Sequence, residues 1–159
     1  SSVVVSDTMN LWIDTDREGL KDVISKTNIF LLNDEEAMQL TGHSNLHSAG
    51  ESLLNEGPDT VIIKKGSKGS MLLEKDLTME IPCVPDIDVH DPTGAGDSFA
   101  GGMLGYLSKY GNGDKKMALL YASAIASFTV SNFGINNLLN LNFNELDKRV
   151  EILSKLIEK

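Results

Sequence analysis

The sequence predicts an α/β fold built on a mostly parallel sheet, and three observations carry that prediction. Short apolar runs at Val3-Val4-Val5, Ile29-Phe30-Leu31-Leu32 and Val61-Ile62-Ile63 have the length and continuity of strands buried on both faces. Amphipathic segments of helical length separate them, which is the order that parallel crossovers require. A glycine-rich turn, Gly94-Ala95-Gly96, then opens a long apolar helical stretch. The 159 residues, 41% hydrophobic and 23% charged, suffice for one domain with a real core.

Taken in order, Val3–Ser6 is the first predicted strand, with Asp7-Thr8-Met9-Asn10 as the loop at its carboxyl end. A run as apolar as Val3-Val4-Val5 suits a sheet interior, yet almost nothing precedes it, so the chain reads as one that begins mid-domain. Asp14 and Asp16 can open a helix carrying Leu20, Val23 and Ile24 on one face. Asn28–Leu32 is the second strand. Asn33, with Glu36 three residues on, starts a short helix that Gly42 closes. Leu46–Glu56 is an amphipathic helix stopped by Gly57-Pro58, and Thr60–Lys64 is the third strand. Gly66-Ser67-Lys68-Gly69 turns that strand back into Ser70–Glu74 as a hairpin. Thr78–Ile81 and Val84–Val89 are further short strands. Three helices follow, over about residues 95–109, 115–131 and 144–157. With no repeat, low-complexity tract or linker, residues 1–159 are expected to form a single domain.

Charge narrows the partners. Fourteen basic against 23 acidic residues give a net charge of -9, with no basic run, which argues against nucleic acid. An acidic chain that binds an anion must do so through local backbone donors and a divalent cation. The one cysteine, Cys83, rules out an internal disulfide and fits a reducing cytoplasm; it reads as a small buried residue in a strand. No stretch is long and apolar enough to cross a membrane, and none reads as a signal peptide. His43, His47 and His90 stand at non-ligand spacing and are expected at the surface.

The stretch that carries chemistry is Asp91-Pro92-Thr93-Gly94-Ala95-Gly96-Asp97-Ser98. Small residues at a helix start let backbone N–H groups converge on an anion. Asp97 falls in the first turn beside them, and an anion with a nearby base is the minimum for moving a phosphoryl group onto a hydroxyl. Two other phosphate loops are excluded: no Gly-Lys pair exists for a Walker A loop, and Phe99 stands where the dinucleotide fingerprint needs its third glycine. An ordinary turn with an aspartate favoured by the helix dipole would account for Asp97 alone.

The whole run resembles the D-x-T-G-A-G-D signature of the ribokinase-like (PfkB) carbohydrate and nucleoside kinases. The resemblance extends from about Val3 to Gly134 in family order, and it matches the C-terminal, nucleotide-binding half of members roughly twice this length. It implies a ribokinase-like three-layer α/β/α sandwich, truncated at its N-terminal side, from an enzyme that uses ATP to phosphorylate a hydroxymethyl group on a sugar or nucleoside. The fragment alone is expected to be inactive. By the resemblance, Asp97 is the base, and the amides of Gly94, Ala95, Gly96 and Asp97 form the anion hole. Asp91 and the Thr93 carbonyl hold a monovalent cation such as K+.

Asn33 and Glu36 form a capping-box-like start, which suffices as a structural role. They also match the family's N-x-x-E motif, which tunes the magnesium and phosphate environment. Lys64, Gly66 and Gly69 read as a hairpin turn with solvated lysines, and they match the family's phosphate-contacting Gly-x-x-Gly turn, with Lys64 as a point charge on the phosphate. The helix Tyr121–Phe128 is rich in small residues, a packing signal for Ala122 and Ala124. In the family such a helix borders the adenine, with Ser123 beside the base and Gly134 after it. The chain departs at Ile135-Asn136-Asn137-Leu138. Gly101 and Gly105 form a G-x-x-x-G that is assigned to packing. Two other classes stay open: a nucleotide-binding module without transfer, and a subunit completed by a partner chain. An unpaired first strand would favour a homodimer.

Overall fold

The computed structural model describes residues 3–158, which divide into two compact units, residues 3–80 and 81–158. The first unit holds β1 (Val5–Asp7), α1 (Asn10–Thr15), α2 (Arg17–Ser25), β2 (Ile29–Asn33), α3 (Asp34–Thr41), α4 (Leu46–Leu54), β3 (Thr60–Lys64) and β4 (Ser70–Glu74), with β5 (Leu77–Ile81) at its end. The strands lie in the order β1-β2-β3-β4-β5. The first three are parallel, and β4 runs antiparallel to β3.

Register sorts the side chains. Phe30 pairs with Val61 and Leu32 with Ile63, and Leu73 lies opposite Val61. That face packs with Ile13, Leu20, Ile24, Ala37, Leu40, Ala49 and Leu53 from α1–α4 into one buried cluster. A side chain as fully buried as Leu53 contributes roughly 1.5–3 kcal/mol. Helix α4 lies so close to the sheet that a Cβ on Gly50 would stand 2.6 Å from Leu73 Cδ2. The opposite face carries Asp7, Leu31, Asn33, Ile62, Lys64 and Ser70, because paired residues share a face and successive ones alternate.

The second unit holds α5 (Ala95–Tyr110), α6 (Lys115–Val130), α7 (Asn136–Leu139) and α8 (Phe143–Ile157). Helix α5 lies against α6, and α6 against α8, where the Arg149 guanidinium sits 3.6 Å above the Phe128 ring. Asn137 of α7 is tied to the end of α6, its Nδ2 donating to Phe128 O at 3.2 Å and Ser131 Oγ at 3.0 Å.

Several expectations change. The first strand is Val5–Asp7, and Val3 and Val4 are 36% and 45% exposed. Among the described residues β1 has one strand neighbour and so one unpaired edge, as expected of it. The helix expected from Asp14 is two: Asp16 leaves helical geometry, and its carboxylate caps Gly19 N; on α2, Leu20 and Ile24 are buried while Val23 is 47% exposed. Val84–Val89 is not a strand. Pro82 and Pro85 remove ladder donors, and Asp86 turns with φ of 56°. Cys83 is therefore exposed in that connection, not buried in a strand. The tight helix contact falls on Gly102, where a Cβ would meet Ile125 Cβ at 3.0 Å and Ala122 Cα at 3.1 Å. Gly101 and Gly105 face open space, so the G-x-x-x-G spacing is not the packing seam.

Candidate functional site

In the second unit the site is a turn. Asp91 Oδ1 accepts the Thr93 amide at 2.9 Å, and Pro92 O accepts the Ala95 amide at 3.1 Å. Gly94 sits between them as the N-cap of α5, with φ of 79° and ψ of 3°. Any other residue there would hold a strained left-handed backbone, so glycine is what lets the chain turn this sharply into a helix. Ser98 N donates to Gly94 O at 2.9 Å and closes the first turn. Among the described residues, the amides of Gly96 and Asp97 meet neither a backbone carbonyl outside the helix nor a capping side chain. Two orphan donors at a helix N-terminus attract an anion. Asp97, the acidic residue of the first turn, is exposed beside them. Hydrogen bonds from the Thr93 hydroxyl and amide hold the Asp91 carboxyl below the usual carboxylate range, so it is ionised at neutral pH.

In the first unit the carboxyl ends of β1, β2 and β3 gather Asp7, Asn33, Glu36 and Lys64. Asn33 ends β2 and caps α3. Its Oδ1 accepts Glu36 N at 2.7 Å, and Glu36 Oε2 accepts Asn33 N at 2.9 Å, a complete capping box. The box holds Glu36 at 5% exposure. Burial pushes its carboxyl pKa up, while the Asn33 amide and the Lys64 charge pull it down. Lys64 Nζ reaches Asp7 Oδ2 at 2.5 Å. The next residue, Lys65, pairs with Glu80. Its amide donates to Gly69 O at 2.7 Å, and Gly69 N to Gly66 O at 3.1 Å, so the turn is closed by its own backbone. Opposite Lys64, the buried Ser70 hydroxyl has no hydrogen-bond partner among the described residues.

The structure thus groups Asn33, Glu36 and Lys64, with Gly66 and Gly69 in the following turn, and separately groups Asp91, Thr93, Gly94, Ala95, Gly96 and Asp97. Ser123 is buried within α6 at 7% exposure, while Gly134 is exposed beyond the helix end. Asp7 escaped the sequence reading. The available signal was an acid at the carboxyl end of a strand, where open α/β sheets bind ligands. Among the described residues, no three of His, Cys, Asp and Glu gather as a metal cage. A single placed carboxylate, Glu36, suits magnesium that arrives on phosphates and keeps its waters.

Residues 3–141 match the profile of the pfkB family carbohydrate kinases. A nucleoside kinase of Methanocaldococcus jannaschii is 39% identical over 87% of this chain and 43% of its own length. Mouse ribokinase is 35% identical over 68% of this chain and 35% of its own. The crystal structure of the M. jannaschii nucleoside kinase, an archaeal member of the ribokinase family, superposes with a TM-score of 0.78 at 33% identity, covering 95% of this chain and 48% of that one. Aminoimidazole riboside kinase from Salmonella enterica, complexed with aminoimidazole riboside and an ATP analog, gives 0.78 at 28% identity, covering 93% and 52%. A ribokinase II from E. coli in complex with ATP and magnesium gives 0.78 at 26%, covering 94% and 49%. The ribokinase-like α/β fold is established, and the chain spans 35–52% of the length of these proteins.

Proposed function

The chain belongs to the pfkB family of carbohydrate kinases, and from that premise we propose that it contributes the nucleotide-binding part of an ATP-dependent kinase. The acceptor is a hydroxymethyl group on a sugar or nucleoside, ATP is the co-substrate, and a cytoplasmic location is part of the same proposal. The observation that carries this reading is the Gly94 turn, which leaves the amides of Gly96 and Asp97 open beside the Asp97 carboxylate.

Those two amides stabilise charge on the transferring phosphoryl group, in a turn that Gly94 shapes and the Ala95 amide closes on Pro92 O. Asp97 accepts the hydroxyl proton as the acceptor oxygen bonds to the γ-phosphorus and the bond to the ADP oxygen breaks. Lys64, paired with Asp7 in the ligand-free chain, supplies a positive charge to the phosphates in this reading. Asn33 and Glu36 fit a magnesium ion, which when bound neutralises phosphate charge. Asp91, kept ionised by Thr93, fits K+ together with the Thr93 carbonyl. Ser123 and Gly134 border the base, and Gly66 and Gly69 the phosphates.

The deciding experiment uses the whole kinase that contains this chain. Asp97→Asn keeps the shape but cannot take the proton, so turnover should fall by ~10²–10⁴-fold while ATP affinity holds. Turnover within a few-fold of wild type would remove the base role. If the parent binds ATP and phosphorylates no sugar or nucleoside, the nucleotide-binding module is the better reading.

The β1 edge supports a further part of the proposal, homodimerisation of this chain. Among the described residues β1 has one strand neighbour, so the outer edge of Val5–Asp7 is available to another strand. Light scattering that reads a monomer at micromolar concentration would remove it.

A further inference from the structure

Two consecutive residues at the end of α6 grip the phosphate-binding turn at both of its ends. Val130 O accepts the His90 amide at 2.8 Å and the Asp91 amide at 3.3 Å, which fixes where the loop starts. Thr129 Oγ1 donates to Ser98 Oγ at 2.8 Å, which fixes the first turn of α5. Thr129 is 2% exposed. Its Cγ2 methyl stands 3.9 Å from where a Cβ on Gly94 would lie. One side chain therefore borders both the left-handed glycine and the residue after Asp97.

The direction of the hydroxyl is informative. A threonine at a helix ordinarily returns its proton to the carbonyl four residues back. Thr15, Thr27 and Thr41 do so in this chain, donating to Leu11 O, Val23 O and Ala37 O. Thr129 instead gives its proton to another helix. Ser98, the receiver, is the first residue of α5 whose amide bonds back to Gly94.

We infer that Thr129 is a positioning residue for the phosphate-binding turn: its hydroxyl sets the pitch of the first turn of α5 through Ser98, and so aims the Gly96 and Asp97 amides and the Asp97 carboxylate. What those amides hold rests on the proposed function. The positioning itself is a property of the ligand-free chain.

The test compares Thr129→Val, which keeps the shape, with Thr129→Ser, which keeps the hydroxyl. Amide hydrogen exchange is followed without ligand at Ala95 and Ser98, whose N–H groups bond to Pro92 O and Gly94 O. In T129V both amides should exchange faster by about ten-fold, the scale of one lost hydrogen bond, while those of β2 and β3 stay unchanged. T129S should restore wild-type rates. Equal exchange in T129V and wild type overturns the inference, and so does a T129S that behaves like T129V. If T129V does not fold, Ser98→Ala breaks the same bond from its half-buried side, and exchange at positions 95 and 98 decides. ATP with magnesium is titrated into the same samples. Affinity should weaken in T129V and recover in T129S. A wild-type chain that binds no ATP counts against the nucleotide reading, while the exchange result on Thr129 stands.

Discussion

Lys64 and Asp7 are 57 residues apart in sequence and form an ion pair at 2.5 Å that crosses over β2. The register makes it possible. Asp7 is level with Leu31, Leu31 with Ile62, and Asn33 with Lys64, so both charges leave the same face of the sheet at its carboxyl edge. Strands β1 and β3 are about 9–10 Å apart, a gap that a lysine stem bridges. Side-chain exposures of 19% and 30% put the pair between surface and buried behaviour.

A double-mutant cycle on this pair should therefore show modest coupling. Asp7→Asn and Lys64→Met should each destabilise the chain by about 1 kcal/mol, and the double variant should cost less than their sum. Urea unfolding of the four proteins measures it. Strict additivity would mean that the pair contributes nothing to the fold and that Lys64 is already at liberty to meet a ligand.

ATP with magnesium should raise the melting temperature of the chain. At ligand near ~100 times its dissociation constant, linkage adds about 2.7 kcal/mol. Gly94→Val should abolish most of that rise, because a β-branched residue at φ of 79° must leave the left-handed region and take the orphan amides with it. A melt unchanged by millimolar nucleotide contradicts the assignment of the turn.

The glycines of α5 should separate cleanly. Gly101→Ala and Gly105→Ala add a methyl to open space and should stabilise the helix by roughly 0.5–1 kcal/mol each. Gly102→Ala drives a methyl against the Ala122 backbone and should destabilise instead. Thermal melts of the three variants settle the order, and equal effects would refute the packing seam placed at Gly102.

Tyr121 provides a pH signature. Burial, then a 3.0 Å hydrogen bond to Asp147, pushes its hydroxyl pKa from 10.0 up to about 12. A raised acid binds its proton more tightly in the folded state, so its contribution is complete below pH 10 and fades as pH rises through 12. The stability difference between wild type and Tyr121→Phe should be flat below pH 10 and shift against the wild type above it. A difference flat to pH 12 would show that the hydroxyl is not held as described.

Local chemistry was enough for much of the fold and for the backbone geometry at the candidate site residues. Asn33 and Glu36 specify a capping box within four residues, and the box forms as the spacing requires. Thr60–Lys64 is a strand because five such residues between a Gly-Pro stop and a glycine turn have little alternative. The Gly94 turn is likewise local, since only glycine takes its backbone angles easily. Contacts between distant segments were not readable. Val3-Val4-Val5 has the composition of a strand, but the strand begins only at Val5, and Val3 and Val4 are exposed. G-x-x-x-G spacing marks a possible seam, yet the rotation of α5 against α6 chose Gly102. Asp7 finds Lys64, and Thr129 finds Ser98, only after strands and helices are laid side by side. Sequence alone determined the local turns, caps and periodicities, whose energies arise within a few residues. Tertiary structure decided which charges and hydroxyls meet, because those pairings depend on register and helix rotation that no single segment encodes.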